Sequence, residues 1–166
     1  HPRFWKDTVK RFLDHYMLKS DARVLDVGCG KGFMLHDFKQ LMPDITVKGI
    51  DISEYAIKNT IPGVKEHVST GNAKALPFED NSFDLIISIN TVHNLPLDDC
   101  KIALQEIERV SRRDSFITVD AWRSEEEKYR MEAWNLTALT YMHVDDWILL
   151  FREVGYSGDY YWFIAE

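Results

Sequence analysis

Val24 to Phe33 reads "VLDVGCGKGF", a short apolar run followed by glycine at positions 28, 30 and 32. Glycine inside an element costs stability, and it persists where the backbone bends tightly or must approach another group closely. The stretch therefore reads as a buried strand, a tight turn and the start of a helix. A strand-to-helix turn with no ligand is one reading of it, and a ligand cradle the other. The residues around it decide.

Working outward, "RVLDVG" is the strand, and a helix follows over Phe33 to Leu41, stopped by Pro43. "ITVKGID" reads as a second strand, with Ser53 as N-cap of a helix running to about Thr60. Pro62-Gly63 marks a turn and "VKEHV" a third strand. "FDLIISI" is almost uninterruptedly apolar, as a strand covered on both faces must be. Cys100, Ala103, Leu104, Ile107 and Val110 then fall at helical spacing, and "SFITVD" gives a fifth strand. Trp147, Leu150, Phe151 and Val154 mark a further helix ended by Gly155, and "DYYWFIA" a sixth strand. At the other end, Trp5, Val9, Phe12, Leu13 and Tyr16 form an amphipathic stripe, an N-terminal helix within residues 1–20.

Strands alternating with helices predict an α/β fold, a doubly wound three-layer Rossmann-like sandwich with a mostly parallel central sheet. Its ligand belongs beyond the carboxyl ends of the strands, where strand order reverses. The 166 residues carry no repeat or linker, so a single domain over 1–166 is expected.

Composition narrows the partners. A net charge of −7 argues against nucleic acid. The two cysteines, Cys29 and Cys100, lie far apart, which predicts a reducing, cytoplasmic setting, no disulfide framework and no metal site. No apolar stretch has the ~20 residues of a membrane span. The chain starts at His1, so a preceding segment is an open matter.

The glycine turn excludes two nucleotide motifs. A Walker A loop needs Ser or Thr after Gly-Lys, but Gly32 follows Lys31. The dinucleotide fingerprint needs glycine where Phe33 stands. What remains is Asp26-x-Gly28-x-Gly30-x-Gly32, then Asp51 at the end of the second strand. A carboxylate there can accept both hydroxyls of a ribose. Taken alone Asp51 is equally a helix-capping acid, since Ser53 and Glu54 follow.

With these residues together, the chain resembles the class I S-adenosylmethionine-dependent methyltransferases, above all the small-molecule group containing the ubiquinone and menaquinone methyltransferases. The resemblance covers about Val24 to Asp120. "VLDVGCGKG" matches the first motif, "GIDIS" the acidic second, "GNAKALPFEDNSFDLI" the segment through the fourth strand, and "LQEIERV" the next helix. It implies S-adenosylmethionine as cofactor and S-adenosylhomocysteine as product. It further implies that Gly28, Cys29, Gly30 and Gly32 let the backbone pass along the methionine and ribose. Asp26 would lie near the ammonium, Asp51 on the ribose diol, and Ile52 on the adenine ring. Asn72 (where the family more often has aspartate) would meet the adenine amine, Ala73 would offer its N–H, and the Asn90 carbonyl would face the methionine amino group. Six strands are legible here; the family's seventh, antiparallel strand is not, so the expectation is either a minimal version or a missing native C-terminus.

The acceptor is a small molecule on this resemblance. "NTVH" at 90–93 lacks the Asn-Pro-Pro-aromatic motif of many amino-group methyltransferases. His93 is a candidate general base, and equally a residue that caps the next helix or bonds a loop. Residues 121–143 are rich in aromatics, and Trp122, Trp134 and Tyr141 are candidates for a substrate lid, or for packing on the core. Phe4 and Trp5 are candidates to close the other side. The alternatives are a protein methyltransferase, a non-catalytic binding module of the same fold, and an NAD(P)-dependent oxidoreductase. Phe33 and the absence of a Tyr-x-x-x-Lys pair at Tyr55 and Tyr129 weigh against the last.

Overall fold

The computed structural model describes residues 5–166, so Phe4 lies outside the described residues. Strand β1 (Arg23–Val27) lies inside a parallel sheet between β2 (Thr46–Asp51) and β4 (Phe83–Ile89). Beyond β2 lies β3 (Val68–Thr70), and beyond β4 lies β5 (Ser111–Trp122). The last strand, β7 (Asp159–Phe163), pairs with β5, also in parallel. A two-residue ladder, β6 (Met142–His143), pairs with the carboxyl end of β5. All recorded ladders are parallel, so the strand closing the chain runs beside β5 in the common direction.

Helices cover both faces, which is why β1 and β4 are buried at nearly every position and mostly apolar rather than alternating. Helices α1 (Lys6–His15) and α2 (Phe33–Leu41) bury Val9, Phe12, Leu35 and Phe38 with Val24, Leu85 and Ile87. On the other face, α4 (Leu97–Val110) and α6 (Val144–Val154) bury Leu104, Ile107, Trp147 and Phe151 with Leu25, Ile86 and Ile117. This is the doubly wound three-layer sandwich. Strand order reverses between β1 and β4, which opens a crevice at their carboxyl ends.

Helix boundaries follow local chemistry. Gly32, left-handed at φ 77°, starts α2, and Gly155 at φ 74° ends α6. The Ser53 hydroxyl accepts the Ala56 N–H at 3.1 Å to cap α3 (Glu54–Lys58), which stops before Thr60. One expected strand is displaced. Lys65–His67 of "VKEHV" is a short 3₁₀ turn, and pairing begins only at Val68. Val64 is buried against Gly32 instead, so its apolar side chain serves packing rather than a ladder. Within 121–143, helix α5 (Glu125–Trp134) is capped by the Ser124 hydroxyl.

Candidate active site: a cleft at the glycine turn

Gly28, Gly30 and Gly32 all have positive φ, at 84°, 53° and 77°. Their roles differ. A Cβ on Gly28 would overlap the Thr91 side chain, so that glycine admits a neighbouring strand end. Gly32 packs on Val64 and Thr60 behind the turn and lines neither the cleft nor the chamber beside it. Gly30 faces open space with no atom within 4 Å of a Cβ.

The turn is fastened to β2. Gly28 and Cys29 N–H groups donate to the Ile50 carbonyl at 2.7 and 3.1 Å. The Gly30 N–H donates to Asp51 Oδ2 at 2.7 Å, and the Ser53 N–H to Asp51 Oδ1 at 2.8 Å. One carboxylate thus holds the glycine turn and the entry to α3 together. The cap of α3 is Ser53 rather than Asp51, whose carboxylate holds the Ser53 N–H in an Asx turn just before the helix and also lines the cleft.

That cleft has a volume of about 450 Å³ and includes Gly28, Asp51, Ile52, Asn72, Ala73 and Asn90. A chamber of about 250 Å³ adjoins it through Gly28 and Asn90, and is walled by Asp26, Cys29 and Gly30. Of the residues singled out around the glycine turn, Gly32 alone stands off both walls. Ile52 is 71% exposed at the cleft, an apolar surface bare toward the opening.

Asp26 is 5% exposed and accepts no hydrogen bond from any described residue. Burial, with the Asp51 charge nearby, pushes its carboxyl up to about 7. Burial likewise pushes the Cys29 thiol up, so it stays protonated rather than nucleophilic.

Polar groups at the cleft are partly engaged. Asn72 Oδ1 accepts the Lys74 N–H at 3.0 Å, an Asx turn that leaves one oxygen lone pair. Asn90 is left-handed at φ 51°. Its N–H donates to Thr118 Oγ1 at 2.9 Å, the Thr118 hydroxyl donates back to Asn90 Oδ1 at 2.9 Å, and Asn94 Nδ2 donates to its carbonyl.

His93 stands apart. It is 3% exposed and lines neither part of the cleft. Its Nδ1 accepts the Asp120 N–H at 3.2 Å, and its carbonyl accepts N–H groups from Leu139 and Thr140. Burial pushes the ring down to about 4 and the neighbouring Asp120 carboxyl up to about 6. The lid aromatics stand apart as well. Trp122 meets Tyr141 edge-on at 5.7 Å, and Trp134 lies 4.5 Å from Phe163 of β7. None of the three lines the cleft.

Sequence reasoning missed most of a second cavity, of about 690 Å³, between α1 and the β5–β7 edge. Of its walls only Trp5 was singled out as a site residue, and Phe12 and Tyr16 were read as the helix stripe; Thr8, Arg11, Phe116, Thr118 and Tyr161 were not singled out. The available signal was alternation. Phe116 pairs with Asp159 and Thr118 with Tyr161, so these four side chains share the face that lines the cavity beside α1.

Comparison with known proteins agrees with this architecture. Residues 25–119 match the family described as the methyltransferase domain. The chain is 36% identical over 96 residues to demethylmenaquinone methyltransferase of Roseiflexus castenholzii, covering 56% of this chain and 40% of that protein. It is 32% identical over 133 residues to a tRNA (carboxymethyluridine(34)-5-O)-methyltransferase of Arabidopsis thaliana, covering 79% of this chain and 31% of that one. It therefore spans less than half the length of these two relatives. The crystal structure of YcgJ from Bacillus subtilis shares the fold at a TM-score of 0.71 and 20% identity, over 89% of this chain and 67% of the other. With the matched segment running from β1 to β5 and holding most of the cleft, the chain belongs to the methyltransferase domain family.

Proposed function

We propose that the cleft takes S-adenosylmethionine and that the chain transfers its methyl group to a small-molecule acceptor, releasing S-adenosylhomocysteine. The observation that carries this is Asp26: a buried carboxylate, unpartnered among the described residues, opening into a chamber beside a second carboxylate. An uncompensated buried charge is costly, and an ammonium ion at that point would supply its partner. At the other end, exposed Ile52 offers an apolar plate for a purine. Between them Asp51, with lone pairs left after holding Gly30 and Ser53, accepts from the ribose hydroxyls. Asn72 and Ala73 serve the purine edge, and Asn90 the methionine end. When bound, that cofactor supplies a methyl group already activated by its sulfonium, so the protein's share is binding and alignment.

The two relatives are named for different acceptors, a quinone precursor and a tRNA nucleoside, so the acceptor does not follow from family membership. The net charge of −7 supports a small molecule over a polyanion. His93 is read as a positioning residue: its Nδ1 lone pair already receives the Asp120 N–H, leaving no free basic nitrogen toward the cleft.

Calorimetric titration with S-adenosylhomocysteine and with NAD tests the cofactor. Binding of the first and not the second is expected; the reverse would return the oxidoreductase reading. Incubation with methyl-labelled cofactor and a cell extract then tests transfer. A labelled small molecule is expected, a labelled protein would move the acceptor class, and no label would leave a cofactor-binding module.

A further inference from the structure

The 690 Å³ cavity falls within the size range of small-molecule sites and meets the cofactor cleft at one place. Ile89 lines the cleft, its adjoining chamber and this cavity, and Trp5 lines the chamber and the cavity. Thr118 lies in the cavity wall, and its hydroxyl is bonded to Asn90 of the cleft at 2.9 Å. The cavity and the cleft thus share the Ile89 wall and are joined by the Thr118–Asn90 bond.

Those walls define the chemistry. Phe116 and Tyr161 sit on adjacent strands and the same face, two register positions apart, so both rings line one wall, with Phe12 edge-on to Phe116 at 5.1 Å. Asp159 is the cavity's one acidic side chain and is already held by the Tyr16 hydroxyl at 2.9 Å and by His15. Arg11 also lines the cavity and has no hydrogen bond or ion pair with any described residue. Among the described residues, the cavity's charged group without a bonded partner is thus Arg11. Arg11 stands on α1 with its side chain exposed at the cavity.

We propose that this cavity is the acceptor site and that it takes a planar aromatic acid. Its ring lies on Phe116 and Tyr161, its carboxylate on Arg11, and its methyl-accepting atom at Ile89 beside Asn90. A volume of about 690 Å³ has room for an acid of one or two rings. The inference rests on the cofactor reading above, because the site has meaning only beside a bound methyl donor.

The test begins with S-adenosylhomocysteine titrated alone; if it does not bind, the cofactor reading fails. With the protein saturated in that product, 4-hydroxycinnamate, 2-naphthoate and their methyl esters are titrated by calorimetry. At least one acid is expected to bind, and its ester roughly tenfold or more weakly, because a charged pair with Arg11 is lost. Arg11→Gln should bring the acid down to the level of its ester. Thr8→Trp, which fills the cavity, should abolish acid binding while leaving S-adenosylhomocysteine affinity unchanged. Failure of every acid to bind overturns the acceptor inference alone. So does binding untouched by both substitutions, or an acid that displaces S-adenosylhomocysteine.

Discussion

The Asp51 carboxylate and the Gly30 backbone are joined by a 2.7 Å hydrogen bond, so the acid at the end of β2 shapes the turn at the end of β1. Asp51→Ala therefore removes two things. It leaves the Gly30 and Ser53 N–H groups without their acceptor, and it removes the carboxylate read as the ribose partner. S-adenosylhomocysteine affinity should fall by about 1.5–3 kcal/mol and the ligand-free fold by about 1–2 kcal/mol. Chemical denaturation alongside calorimetry separates the two; an undamaged fold would show that the carboxylate serves the ligand only.

Gly28 and Gly30 should respond oppositely to the same small substitution. Gly28→Ala drives a methyl group into Thr91 and should unfold or strongly destabilise the protein before any ligand is added. Gly30→Ala meets open space, so its cost to the fold is backbone strain of about 1 kcal/mol. Its cost to cofactor affinity should be larger, and Gly30→Val harsher still, because the side chain points where the ligand is placed. Melting temperatures and affinities on both alanine variants check the contrast. A Gly30→Ala variant that binds normally would make the turn purely architectural.

Much of this was legible in the chain. The sandwich was readable because a strand buried on both faces is a near-continuous apolar run, and Phe83 to Ile89 is interrupted only by Asp84 and Ser88. The α2 boundaries were readable because Gly32 and Pro43 each impose a backbone geometry. "VKEHV" misled because an apolar residue at a chain crossing, here Val64 under Gly32, has no signature separating it from a strand residue. The glycine turn and Asp51 were legible because few residue types satisfy their geometry. The second cavity was not, since its walls come from α1, β4, β5 and β7, and each segment alone reads as core packing.

Asp26 predicts a pH dependence whose sign is fixed by its raised carboxyl. The folded state holds a proton up to about pH 7, whereas the unfolded chain releases it near 3.8. Between those values the native state binds more protons, so this group's contribution is full below pH 3.8 and is lost as pH rises through 7. Asp26→Asn should remove that loss, leaving a ligand-free variant more stable than the parent at pH 8 and closer to it at pH 5. Cofactor affinity should behave in reverse. It should rise in the parent as Asp26 ionises, with proton release on binding near pH 6, and be weak and nearly flat in Asp26→Asn. Calorimetry in buffers of different ionisation enthalpy reads the released proton. Equal proton release and affinity in parent and variant would remove Asp26 from the ammonium site.

His93 separates a structural histidine from a catalytic one. Its ring caps the Asp120 N–H, its carbonyl holds two N–H groups of the loop after α5, and it is pushed down to about 4. Being depressed, it contributes stability that is present above the unfolded value of 6.5 and lost as pH falls toward 4. His93→Ala should therefore lower stability by about 2–4 kcal/mol through the cavity and the orphaned N–H, and flatten that acid limb. Transfer rate per folded molecule should stay within about tenfold, and the parent's rate should show no His93 inflection near 6.5. A general base would behave otherwise, losing ~10²–10⁴-fold in rate with stability intact. His93→Gln offers a second measurement, since its amide oxygen can accept the Asp120 N–H. Recovery of stability by glutamine with little change in rate fits a positioning residue. A stable glutamine variant with its rate collapsed would restore His93 to the chemistry.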